Sequence, residues 1–330
     1  MYANTHDFMK WTRYAVMLLA LSAVFFSCKK EEETELSASF SGVLKFSIPA
    51  FVTPGEKYDL TPSGVFTADD TPYGYFWTIT PTATQRDTLR KPGDPAEVDG
   101  TLHFTVPDTL CQLTITCAAF ASGYYNSLHT EMPHIISDES LTGIEISSST
   151  GGIFKDPRDN VDYLYNTSSG LDWFCSNLEY ASLGRPYVNC EAARPLFGNF
   201  YTWEEAVFAC PDGWRLPTVD EWKAVCGGYF EGAAGSLMVD AYLNEERMWE
   251  YWPEVKITNE TLITALPIGY AMVSGEEYSF VGKNAYAAFW TATEFDDDQA
   301  DYIYINEKTP DVMVASADKA AFATTVRCVR

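Results

Sequence analysis

Histidine, cysteine and carboxylate side chains are the groups of this chain whose types could support catalysis or metal binding. The four histidines are His6, His103, His129 and His134, and no histidine follows them. The C-terminal part therefore has no imidazole for a general base, a catalytic triad or a metal ligand. No histidine lies at metal-ligand spacing from cysteines or acids, so we expect no metal and no cofactor.

The densest acidic cluster consists of Glu294, Asp296, Asp297, Asp298 and Asp301. Calcium prefers oxygen ligands of this kind, but the spacing is not that of an EF-hand loop. We therefore expect a solvated loop, with a calcium site as the alternative. A hydrolase that works through two carboxylates is a further alternative, although the sequence does not show which acids would pair.

Cys226 is the cysteine that we consider as a reactive thiol. It ends a predicted helix just before Gly227 and Gly228, where a cysteine is usually a buried filler. An extracellular enzyme that acts on glycans or proteins through acidic residues or Cys226 is thus the alternative function.

Aromatic side chains are the other candidates, because aromatic surfaces often bind sugar rings and partner proteins. The C-terminal part contains Trp214, Trp222, Trp249, Tyr251, Trp252, Tyr270, Tyr278, Tyr286 and Trp290. We predict that Trp214, Trp222 and Trp290 lie in the core. The stretch 248–253 is predicted to form an exposed patch, with ligand contacts from Trp249, Tyr251 and Trp252.

The charge of the chain excludes some classes of partner. It has 46 acidic and 22 basic residues, a formal net charge of −24, and it is 46% hydrophobic and 15% aromatic. The apolar fraction is high enough to bury cores, so the chain is not a disordered acidic tail. Because a surface this negative repels phosphate backbones and anionic headgroups, we expect no nucleic-acid partner.

Residues 1–27 have the organisation of a signal peptide. Lys10 and Arg13 precede an apolar run over 15–26 that is too short to span a bilayer core of ~30 Å. The run ends at Ser27-Cys28, which resembles the lipobox of bacterial lipoproteins, in which the cysteine is lipid-modified. We therefore expect a lipid anchor at Cys28 and an outer-membrane location. An ordinary secretory signal is the alternative.

Residues 28–38 are predicted to form an acidic tether. Two lysines and three glutamates occupy 29–33, and this pattern resembles the export signal of surface lipoproteins in Bacteroidetes. The segment is mostly polar and has no apolar periodicity, so it is predicted to be solvated. Surface exposure of the protein follows as an expectation.

Residues 39–138 are predicted to form an all-β, Ig-like sandwich. Strand patterning occurs at 43–48, 75–80 and 111–117, and Pro-Gly turn signals separate other parts of the region. Cys111 and Cys117 cannot pair within one strand, because six residues span about 20 Å and a disulfide needs Cα atoms within ~7 Å. Both are predicted to be buried thiols. We expect this region to act as a spacer or a second binding module.

Two short helices with capping boxes are predicted in the C-terminal part. Thr202 begins the first, with Glu205 three residues later, and Thr218 begins the second, with Glu221. Between them, Cys-Pro-Asp-Gly at 210–213 predicts a turn.

Residues 142–330 resemble the Fibrobacter succinogenes major paralogous domain family. The matching blocks lie at 156–159, 172–173, 177–178, 201–206, 209–218, 221–222, 265–270, 289–294 and 326–329. The resemblance implies an α+β, C-type-lectin-like domain on a secreted or surface lipoprotein. The molecular function of the family is mostly undefined. Ile268, where the family usually has glycine, and the additional Cys175 and Cys190 depart from the pattern.

The resemblance also implies a disulfide between Cys210 and Cys328, since both match cysteines of the family motif. An exported protein is in an environment that permits disulfides. The alternative is that both are buried and reduced. Cys175 with Cys190 is the weaker candidate for a second pair, which leaves Cys226 as a free thiol. We thus expect a non-enzymatic surface lipoprotein whose lectin-like domain binds a glycan or a partner protein.

Overall fold

The structure is a computed structural model that describes residues 36–80, 100–144, 151–249, 255–306 and 308–330. The protein is mostly β-strand, with short helices. None of the helices in these ranges has the length and hydropathy of a membrane-spanning helix. The predicted signal peptide, Cys28 and the tether up to residue 35 lie outside the described residues, as do Tyr251 and Trp252.

The N-terminal region contains strands β1–β11. Their bounds are β1 Ala38–Ser39, β2 Ser41–Lys45, β3 Phe51–Val52, β4 Lys57–Leu60, β5 Ser63–Phe66, β6 Tyr73–Thr80, β7 Leu102–Thr105, β8 Thr114–Ala121, β9 Tyr124–Tyr125, β10 Ser127–Glu131 and β11 His134–Ile135. The three-stranded sheet of this region has the order β10–β8–β6 and is antiparallel. β2–β5 and β4–β7 are antiparallel pairs, and β1–β9 and β3–β11 are parallel pairs.

The core of this region surrounds Trp77, which is fully buried and donates a hydrogen bond from Nε1 to the Gly100 carbonyl at 2.9 Å. The predicted strand patterns are largely confirmed: the alternate residues Leu44, Phe46 and Ile48 are all buried, although β2 ends at Lys45. Cys117 is a buried free thiol as predicted. Cys111 is also free but partly exposed, because it precedes β8 and is not part of the strand.

The N-terminal region packs directly on the C-terminal part of the chain. Phe51 belongs to a hydrophobic cluster with Tyr187, Phe197 and other residues of the later sequence. Cys190 donates a hydrogen bond from its thiol to the Phe51 carbonyl at 3.1 Å. Asn244 donates one from Nδ2 to the Ile135 carbonyl at 2.8 Å. The two regions therefore share one buried junction.

In the residues that the structure describes, the C-terminal region contains β12–β25 and four short α-helices. The strands are β12 Leu141–Thr142, β13 Gly151–Lys155, β14 Asp162–Ser168, β15 Leu171–Phe174, β16 Arg185–Pro186, β17 Asn199–Thr202, β18 Tyr242–Leu243, β19 Glu246–Arg247, β20 Ile268–Ser274, β21 Glu277–Lys283, β22 Tyr286–Glu294, β23 Gln299–Asn306, β24 Met313–Asp318 and β25 Phe322–Thr324. The helices are α1 Arg194–Phe197, α2 Trp203–Ala209, α3 Val219–Val225 and α4 Ala234–Leu237, and 3-10 turns cover Tyr187–Asn189 and Glu191–Ala193.

Both predicted capping boxes are confirmed. The Thr202 hydroxyl accepts from the Glu205 backbone N–H, and the Glu205 carboxylate accepts from the Thr202 backbone N–H. Thr218 and Glu221 make the same pair of bonds at the start of α3. These bonds satisfy N–H groups that have no partner inside a helix. The sequence motif therefore sets where both helices begin.

The largest sheet has the order β16–β17–β25–β20–β22–β23–β24, and β21 pairs with β20. One face packs against α3, where Trp222 contacts Phe289 at a ring-centroid distance of 5.1 Å. Ile303 and Ile305 of β23 are fully buried on that side. Tyr302 and Tyr304 alternate with them and lie on the opposite face. The two faces of the sheet thus differ in composition.

The last residues of the chain do not continue β25. This strand ends at Thr324, and the following residues make single bridges, of Thr325 with Phe289 and of Val329 with both Trp173 and Arg215. The segment lies between two partners: β15 bonds to Cys328 and Arg330 on one side, and Arg215 bonds to Val329 on the other.

Candidate functional site

Four tyrosines on neighbouring strands form the feature that we call the tyrosine face: Tyr270 of β20, Tyr286 of β22, and Tyr302 and Tyr304 of β23. The antiparallel register sets Tyr304 opposite Ala288, and the Tyr302–Trp290 pair follows two residues along. Cross-strand partners point to the same side of a sheet. Alternation along the strands therefore brings these rings together.

The rings are in mutual contact. Tyr286 and Tyr304 stack with centroids 4.9 Å apart and planes 12° apart. Tyr270 and Tyr286 are 5.2 Å apart, and Tyr302 and Tyr304 are 5.6 Å apart. Such distances are typical of favourable aromatic pairs. The face is therefore a packed ladder of rings that holds its shape without a ligand.

Both ends of the ladder pack on the same buried ring, since Tyr270 also stacks on Phe322 at 5.2 Å. Tyr302 packs on Phe322 at 4.8 Å, and Phe322 and Trp290 are buried beneath it. All four tyrosines stay partly exposed. Met272, on the same face of β20, has half of its surface exposed (51%). An apolar surface of this kind, with phenol groups at its edge, is typical of interaction sites.

The phenol groups of Tyr286 and Tyr302 stay protonated at physiological pH. Burial, and then a hydrogen bond with Tyr302, raises the pKa of Tyr286 above its usual value. Burial also raises the pKa of Tyr302. Neutral hydroxyl groups both donate and accept hydrogen bonds. The face therefore offers apolar contact and neutral polar groups, without the negative charge that dominates the rest of the chain.

The acidic loop that follows β22 binds the side chain of a lysine from a later segment, Lys319. Lys319, only 8% exposed, donates from Nζ to Glu294 Oε2 at 2.6 Å and to the carbonyls of Asp296 and Asp297, both at 2.9 Å. Its ammonium group also lies 4.7 Å from the centre of the Trp203 ring. The amine thus contacts the oxygens that a bound cation would need. Within the described residues, no three His, Cys, Asp or Glu side chains could hold a metal.

Cys226 lies at the wall of a cleft of about 270 Å³ whose lining also includes Tyr229, Lys256, Thr258 and Glu260. The thiol is buried, and burial raises its pKa to about 12. On the order of one thiol in 10⁵ is then ionised at pH 7, and the thiolate is the nucleophilic form. Cys226 therefore has the character of a core residue.

The exposed aromatic patch expected at 248–253 is wrong for Trp249. Its side chain is 2% exposed and belongs to the same cluster as Trp173 and Trp222. The neighbouring Met248 is buried as well, and its backbone N–H bonds to the Ala241 carbonyl, which holds this stretch against the core. The proposed contacts Tyr251 and Trp252 lie outside the described residues.

The cysteines are arranged largely as the family resemblance implies. Cys210 and Cys328 form a disulfide with a Cα–Cα distance of 5.8 Å. The second pair, Cys175 with Cys190, is not formed. Cys190 faces the junction with Phe51, while Cys175 is buried near Arg327, so the two thiols belong to different parts of the core. Cys226 is a free thiol, as predicted.

Arg327 is a structural residue that the sequence analysis did not identify. It is fully buried, and its guanidinium donates to the carbonyls of Ile263 and Thr264 and to Asn177 Oδ1. Burial lowers its pKa to about 9, so it stays charged at neutral pH. Arg327 lies in the family block at 326–329, and Asn177 lies in the block at 177–178. Membership of both residues in family blocks is the sequence signal that could have pointed to their contact.

The family block at 156–159 contains a cluster of charged side chains. Asp156 is fully buried and accepts hydrogen bonds from two side-chain nitrogens of Arg158 at 2.6–3.1 Å. Burial raises the pKa of Glu179 to about 7, and repulsion from the Asp159 carboxylate adds to this shift. Glu179 and Asp159 are therefore the pair of acids nearest to a general-acid arrangement in the described chain.

The departure at Ile268 has a simple structural explanation. Ile268 is buried in the core, and the neighbouring Gly269 has a positive φ of 79°. A Cβ on Gly269 would lie 1.9 Å from the Val281 carbonyl oxygen. The glycine that the backbone of β20 requires here is thus Gly269, and the preceding position tolerates a side chain.

Comparison with known proteins identifies the C-terminal region. The Fibrobacter succinogenes major domain family matches residues 158–330. This match covers more than half of the chain, so the protein belongs to that family. Searches of curated proteins and of solved structures gave no match.

Proposed function

We propose that this protein is a non-enzymatic, lipid-anchored protein of the bacterial outer-membrane surface that binds a glycan or a partner protein through the tyrosine face. In this proposal Cys28 carries the lipid. The N-terminal region is an Ig-like module that holds the binding region away from the membrane. The C-terminal region is a C-type-lectin-like domain.

The observation that carries the proposal is the partial exposure of all four rings of the tyrosine face. The four tyrosines share their face with the exposed side chains of Met272 and Val281, the latter 45% exposed. Tyrosine contributes a large contact area and a hydroxyl group with little loss of side-chain freedom. A neutral sugar chain or a polypeptide fits this chemistry better than an anion, because the chain carries a net charge of −24.

A lipid anchor and surface location rest on the sequence pattern around Cys28. The test is fractionation of cells that express the wild type or Cys28→Ala. The proposal expects loss of the variant from the outer-membrane fraction. Equal amounts of both proteins in that fraction would contradict it.

The binding role is tested with a soluble form that begins at residue 36, screened on arrays of neutral glycans and of extended peptides. The proposal expects a ligand that is bound by the wild type and lost in the Tyr286→Ala/Tyr304→Ala double variant. Ile153→Ala, which removes an exposed apolar side chain from β13, is the matched control. A wild-type protein that retains no ligand from either array would argue against the proposal.

One observation favours the alternative of an enzyme. Glu179 has a pKa of about 7 next to the Asp159 carboxylate, which is a combination that general acids use. If this pair is catalytic, turnover of a bound glycan or peptide by the wild type should disappear in Glu179→Gln. Binding without turnover leaves the pair as a structural feature.

A further inference from the structure

β24 is an edge of the largest sheet. Residues Met313–Asp318 pair with β23 on one side, and in the part of the chain that the structure describes no strand pairs with the other side. An edge strand presents a row of backbone N–H and C=O groups that lack strand partners. β24 therefore offers hydrogen bonds to a chain that lies alongside it.

This edge has few of the features that usually prevent strand addition, and its one charged residue is Asp318. The six residues contain no lysine and no proline, and their register with β23 is continuous. β21, at another position in the same sheet, begins with Glu277, ends with Lys283 and contains Gly282 at a φ of 83°. Charges and backbone irregularities of that kind protect strand edges. β24 is the less protected of the two.

The side chains of β24 leave room next to the tyrosine face. Met313 pairs with Tyr304, and Ala315 pairs with Tyr302, so both lie on that face. Ala315 and Ala317 are small and partly exposed. In an added strand every second side chain would lie on the same side, beside these alanines and close to the tyrosines. The edge and the tyrosine face thus form one continuous surface.

Charge near the ends of β24 is predominantly acidic. Asp318 is exposed at one end, where Lys319 donates its backbone N–H to Asp298, and Asp311 precedes the other end. The nearby amine of Lys319 is buried and already paired with Glu294. A cationic chain would therefore be attracted to this edge, and an acidic one repelled.

We infer that an extended, basic polypeptide segment of a partner protein binds by adding a strand to β24, with alternate apolar side chains on the tyrosine face. This inference rests on the proposed function, because it identifies the ligand of the tyrosine face as a polypeptide. Backbone hydrogen bonds supply affinity in this mode, and the pockets for alternate side chains supply specificity.

The test uses the full chain in mild detergent and a dodecapeptide in which valine alternates with lysine. Binding is measured by calorimetry, and amide hydrogen exchange is followed over residues 313–318. Three probes serve as controls: the peptide N-methylated at alternate residues, a valine–glutamate peptide and a neutral oligosaccharide. We expect the valine–lysine peptide to bind and to slow exchange in β24, and affinity to fall at least tenfold for both peptide controls.

Ala315→Arg fills the space beside Tyr302 and places a long charged side chain where the peptide's valines would lie. We expect it to weaken peptide binding at least tenfold, whereas Ile153→Arg on β13 leaves binding unchanged. The N-methylated peptide tests the same interaction without any change to the protein.

The outcomes separate the two proposals. A peptide that binds equally well after N-methylation, or without protection of β24, overturns strand addition. The same holds if the oligosaccharide binds through the tyrosines and the peptide does not, although the tyrosine face then remains a ligand site. Failure of all probes to bind overturns strand addition, and the array screen then decides the proposed function.

Discussion

The two faces of the largest sheet use the same strands for different purposes. On β23, Ile303 and Ile305 are fully buried against α3 and its tryptophan, whereas Tyr302 and Tyr304 are partly exposed on the other side. An aliphatic face is buried when another layer of secondary structure packs on it. A tyrosine face keeps its hydroxyl groups accessible, so it can exist uncovered and still bind. The difference indicates which face stabilises the fold and which is available to a ligand.

The largest effect on stability is expected from the disulfide, which lies on the tyrosine side of the sheet. Cys328 belongs to the same cluster as Trp290 and Phe322. By the chain-entropy account, a crosslink over a separation of 118 residues contributes on the order of 4–5 kcal/mol. The Cys210→Ser/Cys328→Ser variant should lose about that much free energy of unfolding in denaturant titrations.

Cys111→Ser, which removes a partly exposed free thiol, is the control for the disulfide prediction. It should change the free energy of unfolding by no more than about 0.5 kcal/mol. Equal stability of the double variant and this control would show that the crosslink does not support the tyrosine side.

The comparison of the two faces is tested directly on β23. Ile303→Ala removes a fully buried side chain and should cost about 2–5 kcal/mol of unfolding free energy. Tyr304→Ala removes a partly exposed ring and should cost about 1 kcal/mol, mainly from lost ring contacts. Chemical denaturation of both variants checks this. A larger loss for Tyr304→Ala would make the tyrosines core residues and remove the distinction.

Lys319 holds the acidic loop at 294–298, next to the largest sheet, and its substitution should destabilise that loop. Lys319→Met keeps the apolar stem but removes the charged hydrogen bonds to Glu294 and to two backbone carbonyls. We expect a loss of about 2 kcal/mol and faster proteolysis of the loop at 294–298. Calcium should not change the melting temperature of the wild type. A clear increase would mean that the loop binds the metal despite the lysine.

The smallest effect that we predict is a pH dependence from Glu179. Its folded-state pKa is raised to about 7 from an ordinary value of 4.5. Protonation is thus favoured in the folded state, so the contribution to stability is complete below about 4.5 and is lost as pH rises through 7. Glu179→Gln should flatten this dependence between pH 4.5 and 8. An unchanged pH profile of the melting temperature would refute it.

The local signals of the sequence predicted local structure well. Thr202 with Glu205 and Thr218 with Glu221 set the helix starts, because capping depends on residues that are near in sequence. The family blocks identified the domain and implied the Cys210–Cys328 pair. Alternation also indicated which residues of the N-terminal region are buried.

The candidate site depends on contacts between distant segments, so the sequence did not reveal it. Tyr270 and Tyr286 were noted as aromatic surfaces, but Tyr302 and Tyr304 were not, although their alternation in β23 was visible. Trp249 was predicted to be exposed because it lies outside the family blocks, but it belongs to one buried cluster with Trp173 and Leu237. Only the register of the sheet shows which aromatic residues meet and which face stays open.

The most direct test of the central claim is one array experiment with three proteins: the wild type, Tyr286→Ala/Tyr304→Ala and Ile153→Ala. Neutral glycans and extended peptides are presented together, and binding is read at matched concentrations of folded protein. We predict a ligand that the wild type and Ile153→Ala bind equally and that the double variant binds at least tenfold more weakly. A ligand bound equally by all three proteins would place the binding surface elsewhere and contradict this account.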